Sequence, residues 1–122
     1  MHKKPTVLGA QNALQVLSTV VQVTPLQYNK RLSDVLSASI FLKREDQQQV
    51  RSFKIRGAFN KINALDPKEL EKGIVCASAG NHAQGFAFSC NQLRIDGIVY
   101  MPIPTPNQKV EQVKMFGGSY VS

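Results

Sequence analysis

One lysine and one polar segment stand out in this sequence because their residue types and spacing suit the chemistry of amino acids. Lys54 lies in the run of residues 52–58, where it opens an amphipathic helical pattern. A neutral lysine amine attacks carbonyl groups, so Lys54 is a candidate Schiff-base residue. The positive end of the helix dipole, the neighbouring Arg56 and burial beside Phe53 would all favour the neutral amine.

The second candidate site is the polar segment 78–82, which lies between an apolar run and a helical pattern. The N-terminus of a helix that follows a parallel strand binds carboxylates or phosphates, because its first N–H groups have no partner within the helix. Gly80 allows close backbone approach, and the side chains around it can donate or accept hydrogen bonds. Two plainer interpretations stay open: Lys54 as a surface lysine, and an ordinary turn with Asn81 as its cap. Together the two features predict a Schiff-base enzyme that acts on an amino acid.

Other catalytic and binding patterns are absent from the sequence. Neither the dinucleotide-binding nor the P-loop glycine spacing occurs. The two histidines and two cysteines lack the spacing of metal ligands, so no metal is expected. His82 is expected to pack at a helix start rather than act as a base, and His2 lies too near the terminus to carry an argument. The acidic pairs Glu45-Asp46 and Glu69-Glu71 are interpreted as surface charge.

Composition and charge narrow the class of protein. The 122 residues, 43% of them hydrophobic, can form one small domain with a core. No apolar run of about 18 residues occurs, so no membrane span is expected. The net charge of +7 is dispersed, without an arginine-rich stripe or stacking aromatics, and so predicts anionic ligands rather than nucleic acid. Cys76 and Cys90 are interpreted as buried free thiols of a cytoplasmic protein.

Hydrophobic periodicity predicts an α/β protein. Strands are predicted at 40–42, 74–77, 98–101 and from 120 onward, and a first helix over 9–21. The alternation of strand and helix after residue 74 predicts parallel strands with right-handed crossovers and helices on both faces of the sheet. The predicted caps and stops are Ser52 as an N-cap, Asp66-Pro67, a capping box at Thr105 to Gln108, and Gly117-Gly118.

Several motifs occur in order along the chain: Thr24-Pro25-Leu26, Leu42-Lys43-Arg44-Glu45-Asp46, residues 52–58, residues 77–85, Met101-Pro102 and residues 109–118. Together they resemble the N-terminal part of the threonine dehydratases (threonine ammonia-lyases), pyridoxal-phosphate enzymes of the tryptophan-synthase-β-like fold. The resemblance implies a fold type II catalytic domain with a parallel three-layer architecture, present as an N-terminal portion. Residues 1–70 would begin its larger subdomain with the Schiff-base lysine, and residues 71–122 its smaller, mobile βαβαβ subdomain.

The resemblance also implies a cofactor and residue roles. The cofactor would be pyridoxal 5′-phosphate, held by Lys54 as the Schiff base and by Asn81 at the ring oxygen. The reaction implied is dehydration and deamination of L-threonine, and also of L-serine, to a 2-oxo acid and ammonia. It would serve isoleucine biosynthesis or threonine catabolism in a homo-oligomeric full-length enzyme. The substrate carboxylate would lie against Ser78, Ala79, Gly80, Asn81 and His82.

Single positions separate related activities, and alternatives remain. Relatives that make cysteine or threonine carry Lys-Asp-Arg where this sequence has Lys54-Ile55-Arg56, and serine racemases tend to have a second serine where this sequence has Ala79. Both positions favour threonine or serine elimination. The glycine-rich phosphate loop, the pyridine-nitrogen partner and the regulatory domain of the family do not occur here, so a piece that is inactive on its own is the second hypothesis. A basic binding module is the third.

Overall fold

A computed structural model describes residues 4–121, so the argument about His2 lies outside the described residues. Helices and strands alternate along most of this range, with one short 3₁₀ turn at Glu45–Gln47. The elements are α1 (Val7–Leu17), β1 (Leu26–Tyr28), α2 (Lys30–Leu36), β2 (Phe41–Lys43), α3 (Lys54–Asn63), α4 (Pro67–Leu70), β3 (Ile74–Ala77), α5 (Asn81–Leu93), β4 (Gly97–Tyr100), α6 (Asn107–Met115) and β5 (Ser119–Val121).

Strands β3, β4 and β5 form a parallel sheet in that order. Cys76 lies opposite Val99, and Val99 lies opposite Tyr120. Helix α5 connects the first pair of strands and α6 connects the second, which is the arrangement expected of parallel strands. The predicted α/β architecture with parallel pairing is therefore confirmed.

The two faces of this sheet differ in burial. On one face Val99 is fully buried beneath α5 and α6, with Ile74, Cys76 and Tyr120 partly buried around it. Both helices lie on that face because the two crossovers proceed in the same direction along the sheet. The other face exposes apolar side chains that the described residues do not cover, so the expected burial of β3 holds on one face only. The exposed face carries Val75, Ile98, Tyr100 and Val121.

Helix α5 is buried on every side over most of its length. All eight consecutive residues from Ala83 to Cys90 are buried. The sheet lies against one side of α5 and α3 packs against another, so this helix is covered on more than the single apolar side of an amphipathic helix. Its buried polar groups have partners: Ser89 Oγ donates to the Gly85 carbonyl at 2.6 Å, and Gln84 Nε2 donates to Gln112 Oε1 at 2.5 Å.

The first third of the chain contains two elements that the sequence analysis did not predict. Strand β1 pairs with β2 in antiparallel orientation, and α2 connects the two strands along the chain. Helix α1 is shorter than the predicted 9–21, since it ends at Leu17. Val20 and Val21 beyond it pack instead against a small buried cluster of Val50, Ile55 and Phe88.

Of the predicted helix caps and stops, two are confirmed and two are wrong. Asp66 forms a capping box with Glu69 at the start of α4, as predicted. The capping box at Thr105 is wrong, because the Thr105 hydroxyl donates to the Pro102 carbonyl at 2.6 Å. Ser52 is also not the N-cap: α3 begins at Lys54, with Phe53 in the cap position. The predicted stop after α6 is confirmed by Gly117, whose φ of +82° favours glycine.

Candidate functional site

Lys54 is the first residue of α3, and its backbone lies directly against α5. A Cβ added to Gly85 would come within 3.1 Å of the Lys54 carbonyl carbon and oxygen. Glycine at this position therefore allows the two helices to approach closely where the lysine begins its helix. The buried residues Ile55, Ala58, Phe59 and Ile62 form the predicted apolar stripe that docks α3 onto the fold.

The side chains of Lys54 and Phe53 are both exposed in this part of the chain. The Phe53 side chain is 60% exposed, and Lys54 Nζ lies 5.5 Å from the centroid of its ring. The expected burial of the lysine beside Phe53 is thus wrong for the described residues. The pair instead presents an amine and a flat aromatic surface side by side to solvent.

The 78–82 loop joins the end of β3 to the start of α5. The Ser78 N–H donates to the Tyr100 carbonyl at 3.0 Å, which continues the pairing with β4. The Gly80 N–H donates to Ser78 Oγ at 3.3 Å, and Gly80 precedes the first helical residue, Asn81. Within residues 4–121 no side chain caps this helix end. The first N–H groups of α5 are therefore available to an anionic ligand.

The structure brings the lysine helix and this loop together. Gly85, which touches the Lys54 backbone, lies one helical turn beyond Asn81. Gly57, one turn into α3, and His82 line the same cleft of about 470 Å³. Asn81 and His82 are exposed, while Ser78, Ala79 and Gly80 are partly buried. All the predicted site residues thus lie around the adjoining starts of α3 and α5.

Glu45, interpreted from sequence as surface charge, instead supports the start of α3. Its carboxylate accepts from Arg56 Nε at 2.8 Å and Nη2 at 2.9 Å, and from Thr24 Oγ1 at 2.6 Å. The hydrogen bonds from Arg56 hold the pKa of Glu45 at about 2, well below its ordinary 4.5, against the opposing effect of burial. Asp46 does match the surface interpretation, since it is exposed and pairs with Arg44.

The two thiols are structural in character. Cys90 is buried and Cys76 partly buried, and neither forms a disulfide, in agreement with the sequence interpretation. Burial raises the pKa of each thiol to about 11, which suppresses the reactive thiolate at neutral pH. Among the described residues no group of three His, Cys, Asp or Glu side chains could hold a metal ion. No helix among residues 4–121 is long and apolar enough to cross a membrane.

Fold and site together describe a parallel α/β protein with a lysine at one helix start and an uncapped helix N-terminus beside it. The model of the family described as pyridoxal-phosphate dependent enzyme matches residues 17–122. The chain belongs to this family. Pyridoxal phosphate is accordingly the cofactor of the family, and fold type II is the architecture of which this chain is an N-terminal portion.

Individual relatives give a consistent comparison. The chain is 58% identical over 109 residues to the L-threonine dehydratase biosynthetic IlvA of Halalkalibacterium halodurans, covering 89% of this chain and 26% of that protein. Among solved structures, the processed form of threonine deaminase isoform 2 from Solanum lycopersicum is 40% identical, with a TM-score of 0.79, over 97% of this chain and 35% of that one. Maize serine racemase is 34% identical, with a TM-score of 0.86, over 91% and 34%. The chain thus spans about a quarter of the length of the curated relatives it matches.

Proposed function

We propose that this chain carries the lysine-bearing part of a pyridoxal-phosphate-dependent lyase that converts L-threonine, and also L-serine, to a 2-oxo acid and ammonia. The observation that carries the proposal is the close approach of Lys54 to α5, which sets an exposed amine beside an uncapped helix N-terminus. The names of the threonine dehydratase and threonine deaminase relatives support the substrate.

The donor set around the two helix starts fits this cofactor and an amino-acid substrate. Lys54 would hold the cofactor aldehyde through its ε-amine, and the exposed Phe53 offers an apolar surface to a planar ring. The Asn81 amide would donate to the ring oxygen. The N–H groups at the start of α5 would hold the substrate carboxylate, since the open space around Gly80 leaves room for it. The carboxylate would lie against Ser78, Ala79, Gly80, Asn81 and His82.

Lys54 would also move the proton in the reaction. When bound, the cofactor spreads the negative charge that develops at the substrate Cα. The Lys54 amine, when free, would accept the Cα proton of the substrate, and one proton would leave with the β-hydroxyl as water. Hydrolysis of the resulting enamine would consume one water and give the 2-oxo acid and ammonia.

A racemase and a catalytically incomplete segment are the two alternatives to this proposal. Maize serine racemase shares the fold at 34% identity. Racemisation requires a proton donor on the opposite face of Cα, and the methyl group of Ala79 cannot supply one, so elimination is the favoured outcome. The second candidate is a catalytically incomplete segment, which the coverage of a quarter of the relatives supports.

The biological setting follows from the same relatives and remains part of this proposal. The word "biosynthetic" in the names of the threonine dehydratase relatives supports a role in isoleucine, and so branched-chain amino-acid, biosynthesis. The proposed location is the cytoplasm, because free cysteines such as Cys76 and Cys90 stay reduced there. The complete enzyme would be a homo-oligomer.

Reduction of the chain with borohydride in the presence of pyridoxal phosphate tests the proposal. Peptide mapping then shows which lysines carry the reduced cofactor. Lys54 is expected to be labelled ahead of Lys72, an exposed lysine outside the cleft that serves as an internal reference. Equal labelling of the two lysines would contradict the proposed role of Lys54.

An activity measurement separates the two candidates. L-Threonine is added to the chain alone and to the chain mixed with the remaining three quarters of the Halalkalibacterium halodurans relative. Release of 2-oxo acid by the mixture, but not by the isolated chain, supports a segment that needs the rest of the fold. Release by the isolated chain would contradict the incomplete-segment candidate, and Lys54→Ala is the negative control in both samples.

A further inference from the structure

The carboxylate of Glu45 is the centre of a hydrogen-bonded cluster that reaches the start of α3. Arg56 donates to both of its oxygens, and Thr24 donates to one of them at 2.6 Å. The Glu45 side chain is only 14% exposed and that of Arg56 31%. A two-point contact between a guanidinium and a carboxylate fixes orientation as well as distance, and low exposure reduces its screening by solvent.

Gln48 ties a second segment to the same cluster. Its side chain is 1% exposed, and its amide closes two hydrogen bonds with the backbone of Gln22: Nε2 donates to the carbonyl at 2.8 Å and Oε1 accepts from the N–H at 3.0 Å. Nε2 also lies 3.3 and 3.4 Å from the Glu45 oxygens. The segment around residue 22, the 3₁₀ turn and α3 are therefore joined through buried or partly buried polar groups.

This cluster constrains the turn from which Lys54 extends. Arg56 follows Lys54 by two residues, and Ile55 between them is fully buried. The first turn of α3 is thus held by Ile55 in the core, by Gly85 against the Lys54 backbone and by Glu45 through Arg56. The first two contacts fix the depth of the turn, and the third restrains its rotation about the helix axis.

We propose that Glu45 is a positioning residue for Lys54. Acting through Arg56, it holds the first turn of α3 so that the Lys54 side chain extends from the helix in one fixed direction beside the 78–82 loop. Glu45 does not touch the reacting groups. The inference rests on the proposed function, which gives Lys54 its role.

The test compares the labelling of Lys54 with that of the reference Lys72 by pyridoxal phosphate and borohydride in Glu45→Gln and wild-type chains. The ratio is expected to fall at least about threefold in Glu45→Gln, because the charge-assisted contacts to Arg56 are lost. Glu45→Asp keeps the charge and is expected to retain part of the ratio. Asp34→Asn neutralises the carboxylate of the exposed Lys30–Asp34 pair and should leave the ratio unchanged. An unchanged ratio in Glu45→Gln overturns the proposal.

A double substitution shows whether Glu45 acts through Arg56. The labelling ratio in Arg56→Gln is expected to match that in the Glu45→Gln/Arg56→Gln chain. The contact between the two residues is already lost in the single variant, so the second substitution removes nothing more. A further fall in the double variant would show that Glu45 acts by another route, and would overturn the proposal. If circular dichroism shows Glu45→Gln unfolded, Arg56→Lys replaces it, because lysine keeps the charge and loses the two-point contact.

Amide hydrogen exchange separates this proposal from the function on which it rests. Equal labelling of Lys54 and Lys72 in the wild-type chain would contradict the proposed function. Exchange of the Arg56 N–H, which donates to the Phe53 carbonyl at 3.1 Å, needs no cofactor. It is expected to quicken in Glu45→Gln while amides of α6 keep their rates. Unchanged exchange at Arg56 would overturn the positioning role independently.

Discussion

Glu45 shows how one partly buried carboxylate can hold the start of a helix. Its carboxylate is partly buried and binds Arg56 with two hydrogen bonds, and Thr24 with a third. Burial alone would raise the pKa of this carboxyl, yet the donors lower it to about 2. The contacts to the ionised form therefore outweigh its desolvation, and the carboxylate contributes to stability as well as to geometry.

This pKa predicts a specific acid sensitivity. The Glu45 carboxyl has a lower pKa in the folded chain than its ordinary 4.5, so its contribution is complete above that value and is lost as the pH falls towards 2. Between pH 6 and pH 3 the wild-type chain is expected to lose about 2 kcal/mol more stability than Glu45→Gln. Urea unfolding at both pH values measures this, with Asp34→Asn as the control. Parallel losses in wild type and Glu45→Gln would contradict the prediction.

Lys54 and the loop could be located from sequence because each lies in a contiguous motif beside a helix start. The supporting role of Glu45 could not, since its partners Thr24 and Arg56 are distant in sequence and meet only in the folded chain. The exposure of Phe53 was missed for a similar reason: an apolar residue beside a helix start gives no local sign of whether another element covers it.

Helix α5 is the element around which the described fold is organised. It contacts the sheet, α3 and α6, and two of its positions carry little or no side chain where a neighbour approaches: Gly85 meets Lys54, and Ala87 lies where a Cβ on Gly118 would fall. Small residues at these points set the distance between the helices and the sheet.

Two glycine substitutions test the contact between α3 and α5. Gly85→Ala places a methyl group 3.1 Å from the Lys54 backbone, which cannot rotate away, so a loss of about 1–3 kcal/mol is expected. Gly57→Ala is the matched control, because its Cβ meets nothing within 4 Å, and alanine should stabilise helix α3 by about 0.5–1 kcal/mol. Thermal unfolding of both variants measures the difference, and a stabilised Gly85→Ala chain would show that the helices separate at little cost.

The C-terminal end of α5 gives a second prediction about this element. Arg94 there adopts a φ of +56°, and the Ile95 N–H closes the end on the Cys90 carbonyl. Glycine suits this left-handed position, so Arg94→Gly is expected to stabilise the chain by about 0.5–1 kcal/mol, while Arg94→Ala should change little. Denaturant midpoints measure both variants. A destabilised Arg94→Gly chain would indicate that the arginine side chain contributes more than its backbone conformation costs.

Periodicity was enough to predict β3, α5, β4, α6 and β5, since these elements contain apolar runs that end at turn residues. It failed for β1 and α2. Both elements are short: β1 has three residues, all exposed, and α2 has seven. In α2 the residues Leu32, Val35 and Leu36 do have helical spacing, but a pattern of this length was not recognised, and the folded chain leaves all three exposed. Thr105 has the sequence of a capping box, but its hydroxyl bonds a nearer carbonyl of the preceding turn.

At the level of the whole chain, the described residues leave one face of the parallel sheet open to solvent. Its four apolar side chains form a contiguous surface of a kind that soluble proteins seldom expose, and parallel sheets are ordinarily covered on both faces. Because of this exposed face, we expect the chain studied alone to associate more readily than a protein whose sheet is covered on both faces.

The open face predicts dye binding and association that polar substitutions reduce. Val75→Thr and Ile98→Thr keep β-branched side chains in the strands, and they replace a methyl group of Val75 and the ethyl group of Ile98 with a hydroxyl on this face. Both are expected to lower the fluorescence of a hydrophobic dye and the concentration-dependent mass seen in sedimentation. Ile103→Thr changes an 87%-exposed residue outside the sheet and is the control. Equal effects of all three substitutions would contradict a role specific to the sheet face.

The packing of α3 on α5 has a mechanical consequence. The predicted subdomain boundary after residue 70 places these helices in different halves, yet Ile62 of α3 lies in one core with Ala83 and Phe86 of α5. A hinge between them would have to open that core to water. We therefore expect Lys54 and the 78–82 loop to move as a single rigid body, with the spacing between them unchanged when a ligand enters.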